Sequence, residues 1–378
     1  MNKENYKRIL NSKLLFYFSY TLLLFKITCE QLDIVENIKN YLTITEILLL
    51  VFCIIIQSRK YNIKTIIIIC NLLISTLYSY TVTKNSNIFI LVLLIIASKN
   101  IDIKKFIKYD IKIKILFLIL NMFLIYAGIM ENAIFFREEG NARYSLGFSS
   151  PNTLGAMILS ICLELTYINN NMKKIYTYLL ILLVIIIITC NSRSAEIGII
   201  LLMILLPIYK KKIRLKKIIP YTVIIFTILS FFTVYLYGKG SKFALILDDL
   251  LSTRLMCSYN FLNIYDIKLF GNYFEEVDVW MGYVNSLDNG YIYFILNQGI
   301  IIYVIITILN IILMKNLIKN NENIIVAILL VLYSYGLMER GVFFITYNVF
   351  LLYINEIIFK YEKIKTNKSD EKIIKNQI

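Results

Sequence analysis

Apolar residues fall in long runs along the chain, each of roughly 15 to 24 residues, with short polar stretches between them. Runs of that length cross the hydrocarbon of a bilayer as helices. Twelve spans are predicted, at about 13–29, 42–56, 63–83, 87–98, 112–130, 153–168, 174–190, 194–208, 218–237, 291–314, 324–338 and 341–359. The fourth and eighth are short, which suits tilted or re-entrant segments. No small-residue cleavage site closes the first run, so it reads as an uncleaved span. The expected fold is all-α: a polytopic integral membrane protein with a single transmembrane domain over 1–362, then a solvated, disordered tail over 363–378.

Composition agrees with the pattern. Of 378 residues, 58% are apolar and 17% charged, and the mean hydropathy is +0.69, whereas a soluble domain of this size carries about a quarter of its residues charged. The net charge of +15 would point a soluble protein toward nucleic acid. Here the sorting of charges between loops explains it better. With the N-terminus on the cytoplasmic side, the cytoplasmic segments hold 29 Lys and Arg and the extracytoplasmic ones 10, with Lys26 inside the first span. This is a strong positive-inside bias, and it places both termini in the cytoplasm. The runs Lys104-Lys105-Phe106-Ile107-Lys108 and Lys210–Lys217 read as topology anchors. The longest connection, about 238–290 between spans nine and ten, then lies outside. Within it, Phe243, Leu247, Leu250, Leu251, Leu255, Leu262 and Tyr265 recur at helical spacing, so the stretch suits an amphipathic helix on the outer leaflet.

Two absences bound the chemistry. There is no histidine, which excludes every mechanism that needs imidazole. The six cysteines form no CxxC pair and mostly sit in apolar runs, so neither a disulfide framework nor a zinc site is expected.

One asymmetry points to a ligand. Of the 29 cytoplasmic cations only Arg8, Arg59 and Arg214 are arginine, whereas five of the 10 outer ones are: Arg137, Arg143, Arg193, Arg254 and Arg340. Topology is indifferent to the kind of cation, but bidentate recognition of phosphate is not. Arg143 precedes a Gly147 and Pro151 turn, after which Asn152 or Thr153 can cap a helix whose first N–H groups face an anion; an ordinary turn and cap is the alternative. Arg193 sits in the tight Asn191–Glu196 turn, and a local pair with Glu196 is the plain reading. Arg254 lies beside the apolar face of the loop helix, placed to snorkel to headgroups or to hold a phosphate. Asp288, before span ten, suits either a general base or an N-cap. Glu164, deep in span six, is the most conspicuous intramembrane carboxylate.

Four segments in order resemble O-antigen and capsular polysaccharide polymerases, the broad group that also includes the O-antigen ligases. They are Arg143 to Gly155; Asn191-Ser192-Arg193-Ser194; Leu251-Ser252-Thr253-Arg254 with Leu269-Phe270-Gly271; and Asp288-Asn289-Gly290-Tyr291 with Gln298-Gly299-Ile300-Ile301. The resemblance covers roughly residues 120–350. Family members often carry histidine where this chain has Ser150, and the absence of any histidine argues against a ligase.

The resemblance implies an enzyme of the plasma membrane that joins oligosaccharide repeat units carried on undecaprenyl diphosphate, on the extracytoplasmic side, for capsule, exopolysaccharide or O-antigen. It implies no cofactor and no metal. The partners it implies are the lipid-linked oligosaccharide, the bilayer, a flippase and chain-length regulators, and not nucleic acid. The expected catalytic residues are Arg143, Arg193 and Arg254 on the diphosphate and Asp288 as base, with Glu275, Glu276 and Glu339 behind it. Asn152, Ser192, Trp280, Asn289, Tyr291 and Arg340 are the expected substrate contacts. The competing readings are a lipid-linked oligosaccharide flippase or other transporter, and a scaffolding membrane protein. The sequence shows neither the internal repeats nor the broken helices typical of transporters.

Overall fold

The computed structural model describes residues 3–57, 61–136, 140–210, 216–274 and 286–360. Arg137, Glu275, Glu276, Trp280 and the expected tail 363–378 lie outside the described residues. The chain is mostly helical. The first half holds α1 (Lys3–Thr28), α2 (Asp33–Gln57), α3 (Ile63–Thr83), α4 (Asn87–Ala97) and α5 (Ile103–Tyr126), then a hairpin of β1 (Ile134–Phe136) and β2 (Ala142–Tyr144). α6 (Pro151–Ile168), α7 (Met172–Ile188), α8 (Arg193–Lys210), α9 (Thr222–Gly238), α10 (Lys242–Leu250) and α11 (Arg254–Ile264) follow. The last are α12 (Gly290–Gln298), α13 (Ile300–Lys319), α14 (Asn323–Tyr335) and α15 (Asn355–Ile358). Short polar residues start several of them. Asn62, Asp102 and Asn171 each accept a hydrogen bond from an N–H in the first turn, at 3.1, 3.1 and 3.0 Å, which satisfies a donor that the helix itself cannot.

The bundle is apolar outside and partly polar inside. Leu48 and Phe52 on α2, Ile119 and Phe123 on α5, and Ile181 and Ile188 on α7 are exposed, while Ser19, Asp110, Lys114, Asn121 and Glu164 are buried. That inverts the arrangement of a water-soluble protein. α2, α3, α6, the segment Ile219–Gly238 and α13 are five helices long and apolar enough to cross a membrane. α12 is short and buried along its whole length, and so is α4 apart from its first residue, Asn87. The fold is that of an all-α membrane protein whose deepest layer contains two helices too short to span.

Three expected elements differ. The predicted span at 291–314 is two helices, α12 and α13, separated by Gly299. The predicted span at 341–359 is not a continuous α-helix but two 3-10 turns, Arg340–Phe343 and Val349–Ile354, followed by α15. Asparagine side chains take backbone acceptors there, Asn348 from Val342 at 2.9 Å and Asn355 from Ser98 at 3.1 Å, and such bonds compete with regular helix. The predicted loop helix is split at Ser252 and Thr253, both left-handed with φ of 56° and 62°. Its first part, α10, exposes Phe243, Ile246 and Leu250 on one face and buries Asp248 on the other.

The break at Gly299 is enforced by backbone packing. Ile300 and Ile301 donate their N–H groups to Lys268 and Leu269, and Asn272 donates to Leu296, at 3.1, 3.2 and 2.9 Å. Gly271 and Gly299 sit at φ of 88° and 93°, and a Cβ on either would meet a backbone oxygen at 1.8 or 2.4 Å. Gly299→Ala is therefore expected to destabilise the fold by about 3 kcal/mol or more. Gly128→Ala, also at positive φ but with open space around it, is expected to cost only about 1–2 kcal/mol. Thermal unfolding of the two variants in detergent checks the difference.

Candidate functional site

One end of the bundle carries α10 and α11 and is called here the loop face. The opposite end, where α5 and α7 begin with Lys104, Lys105, Lys173 and Lys174, is the lysine face. On the loop face the starts of α6, α8, α11 and α12 lie together.

At α6, Ser150 is the cap. Its Oγ accepts from the Thr153 N–H at 3.2 Å, and Pro151 fits the first turn, where no N–H is needed. This corrects the expectation that Asn152 or Thr153 would cap. Asn152 is left to accept from Arg143 Nη2 at 2.6 Å, while Arg143 Nε donates to the Cys190 carbonyl at 2.9 Å. Tyr144 N–H donates to Thr189 at 3.0 Å, so the hairpin holds Arg143 across the α6 start and the α7–α8 turn. A Cβ on Gly155 would lie 2.5 Å from Ser192 Cβ, so α6 and the α8 start pack in direct contact.

At α8, buried Ser192 lies within hydrogen-bonding distance of Ser194, Oγ to Oγ 3.2 Å, and Ser194 Oγ donates to Glu339 Oε1 at 2.8 Å. Arg193 opens the helix and is exposed. Glu196 Oε1 is buried without a hydrogen-bond partner.

At α11, Asp248 from α10 accepts from the N–H groups of Leu255 and Met256 at 2.7 and 3.1 Å, capping the helix from a distance. This leaves Arg254 to face inward. Its Nη2 donates to Glu339 Oε1 at 2.6 Å, its Nη1 to the Met338 carbonyl, and its Nε lies 3.6 Å from Asp288 Oδ2.

At α12, Asn289 is the cap, accepting from Tyr291 and Ile292 N–H groups at 3.1 Å each. Its amide donates to Ser230 Oγ at 3.0 Å and to Leu337 at 3.3 Å. Because Asn289 takes the cap, Asp288 turns to Arg254 and to Ser286, whose Oγ donates to it at 3.2 Å. Gly290 N–H donates to Gly336 at 2.8 Å, which fixes α12 against the loop that carries Glu339.

The expected residues thus separate into groups. Arg254, Asp288 and Ser192 join one network through Ser194 and Glu339; Asn289 caps α12 beside it, bonded to Ser230 and the Leu337 carbonyl, and Arg143 with Asn152 abuts it. Tyr291 is wholly buried and its hydroxyl donates to the Tyr333 carbonyl at 2.6 Å, so it ties α12 to α14 from within. Arg340 is exposed, with its guanidinium 5.7 Å above the Tyr293 ring. Sequence reasoning gave Glu339 only a reserve role and missed Ser194. Their positions follow from the 336–340 loop folding under α11, which no local pattern announces.

Electrostatically, Arg254 serves two carboxylates. Burial works against its charge, but Glu339 and Asp288 outweigh that and raise its pKa. Burial pushes the Glu339 carboxyl up, and Asp288 adds to this against the pull of Arg254. A raised carboxyl binds its proton more firmly in the folded chain. Its stabilising contribution is full below the ordinary glutamate pKa and declines as pH rises toward the raised value. Glu339→Gln is expected to flatten that part of the stability profile, as read by thermal unfolding across pH.

Among the described residues no group of three or more His, Cys, Asp or Glu is arranged for a metal ion. A cavity of about 300 Å³ opens at the lysine face beside Lys99, Lys104 and Tyr353, away from this network. Guanidinium groups at helix starts are suited to bind phosphate, and a carboxylate pair that shares one guanidinium is suited to hold or accept a proton. Comparison with protein-family models, curated proteins and solved structures finds no match to this chain.

Proposed function

We propose that the chain is a polysaccharide polymerase of the plasma membrane. It joins oligosaccharide repeat units carried on undecaprenyl diphosphate, with the loop face on the extracytoplasmic side. The observation that carries this reading is Arg254, held between Asp288 and Glu339 where four helices begin and beside the Arg143–Asn152 pair. A glycosyl transfer of this kind needs a cation on the departing diphosphate and a base for the attacking hydroxyl, and both lie within one network.

In the proposed reaction a hydroxyl at the non-reducing end of one unit attacks the anomeric carbon of another. A glycosidic C–O bond forms and the bond to the diphosphate breaks. Arg143, Arg193 and Arg254 take the growing negative charge of the leaving group, and Asp288, more exposed than Glu339, takes the hydroxyl proton. The partners are the lipid-linked oligosaccharide, the flippase that delivers it and proteins that set chain length.

A second reading, a flippase for the same lipid, is favoured by the broken α12–α13 helix and by the charged side chains buried among α1, α5 and α6, features found in transporters. However, α13 alone is 20 residues, about 30 Å, and spans without α12. The break therefore sits at the loop-face end of the span rather than at its middle.

Deleting the gene and resolving surface and lipid-linked glycans by size separates the two. Exported single units with the long-chain ladder lost support the polymerase, and Arg143→Ala should reproduce the loss. Units trapped on the cytoplasmic side mean a flippase. An unchanged ladder removes both.

A further inference from the structure

Asp110 and Lys114 lie one turn apart on α5, Glu164 faces them from α6, and Tyr20 from α1. The loop-face network does not use them: Glu164 is twelve residues along α6 from Asn152, about 18 Å. Lys114 Nζ is 2.8 Å from Asp110 Oδ2 and 2.5 Å from Glu164 Oε1, and the three side chains are at most 1% exposed. Tyr20 donates its hydroxyl proton to Asp110 Oδ1 at 2.9 Å.

The charges do not balance. One ammonium faces two carboxyl groups, and as ions they leave a net negative charge in a layer that water does not reach. The hydrogen bonds do not close either. Glu164 Oε2 is buried and receives no hydrogen bond, Asp110 Oδ2 has only the Lys114 ammonium beside it, and the two carboxyl groups meet each other. Two bare carboxylates cannot satisfy one another. One proton on either carboxyl, donated to the other, gives Glu164 Oε2 a partner and brings the cluster to neutrality.

We propose that Asp110 and Glu164 bind one proton between them, as a buried proton-binding site completed by Lys114 and Tyr20. The proton comes from water as the helices assemble and forms an O–H bond to one carboxyl oxygen, which donates to the other group. The titratable groups that face the pair are Lys114 on α5, Tyr20 on α1 and Cys162 on α6. Tyr109 on α5 stands next to Tyr20. The site joins three helices without leaving the bundle charged.

The test is infrared spectroscopy of the full-length protein in lipid nanodiscs at neutral pH, reading the carbonyl stretch of protonated carboxylic acids and its shift in deuterium oxide. Differences against variants remove any contribution from Glu46 or Glu339. The expected result is a band lost in Glu164→Gln and lost also in Asp110→Asn, because with a neutral amide on α5 Glu164 ionises against Lys114. A wild-type spectrum that matches Glu164→Gln in this region overturns the site. So does a band that survives in Asp110→Asn, which would mean a proton held by Glu164 alone. Should Glu164→Gln not fold, the Asp110→Asn spectrum decides by itself.

Discussion

Arg254→Lys is expected to reduce polymer formation by about 10²-fold or more while leaving a folded protein. Lysine keeps the charge, so the partly buried Glu339 and Asp288 retain a counter-ion. It cannot reproduce the fork that reaches Glu339, the Met338 carbonyl and Asp288 from one planar group. Arg254→Ala should lose both function and stability. It strands a carboxylate that also accepts from Ser194, and breaking such a pair costs about 3–5 kcal/mol. The double variant Arg254→Ala with Glu339→Gln separates the effects, because it removes the stranded charge and should recover much of the stability with no recovery of activity. The readouts are elongation of lipid-linked repeat units in membranes and thermal unfolding in detergent. An Arg254→Lys protein that elongates at the wild-type rate would remove the guanidinium from the proposed chemistry.

Lys114→Met is expected to destabilise the fold by about 3–5 kcal/mol. Methionine matches the length of the lysine stem and fills similar space, so the loss isolates the charge. Two carboxyl groups then share the interior with no cation, beside a tyrosine that is already committed to Asp110. Lys105→Met on the same helix is the control, since Lys105 pairs only loosely with Asp102 at 3.8 Å with both side chains exposed, and it should move stability by less than about 0.5 kcal/mol. Equal melting temperatures for the two variants would show that the buried ammonium contributes nothing.

The alternation of apolar and polar stretches carried most of the helices. α3 runs over the predicted 63–83, and α6, α7 and α9 begin within a few residues of their expected starts. It failed where hydropathy is uninformative about backbone path. Span ten reads as one run because a single glycine barely lowers its hydropathy, yet Gly299 behind Gln298 is a break signal in its own right. Span twelve is apolar enough for a helix, but Asn348 and Asn355 take backbone acceptors and shorten the turns. Lys114 shows a different failure. Counted by position it joins the cytoplasmic lysines and strengthens the charge bias. Counted by helical phase, Phe106, Asp110, Lys114, Phe117 and Asn121 lie on one buried stripe of α5, whereas Lys108 and Lys112 lie on the other side and are exposed. The arginine asymmetry did single out Arg254 and Arg143. It gave no hint of Ser194, or that Glu339 rather than Asp288 would be the deeper carboxylate, because those depend on how the 336–340 loop tucks beneath α11.

The same buried lysine bears on how the protein is made. Lys114 emerges from the ribosome fifty residues ahead of Glu164. α5, with Lys104, Lys105, Lys108, Asp110, Lys112 and Lys114 in its first half, is not among the helices apolar enough to enter a bilayer unaided. Its partner α6 is. Insertion of α5 is therefore expected to wait at the translocon until α6 arrives, so that the two enter lipid as a hairpin with their charges already matched. A nascent chain truncated just after α5 should remain extractable by alkaline carbonate, and one extended through α6 should not.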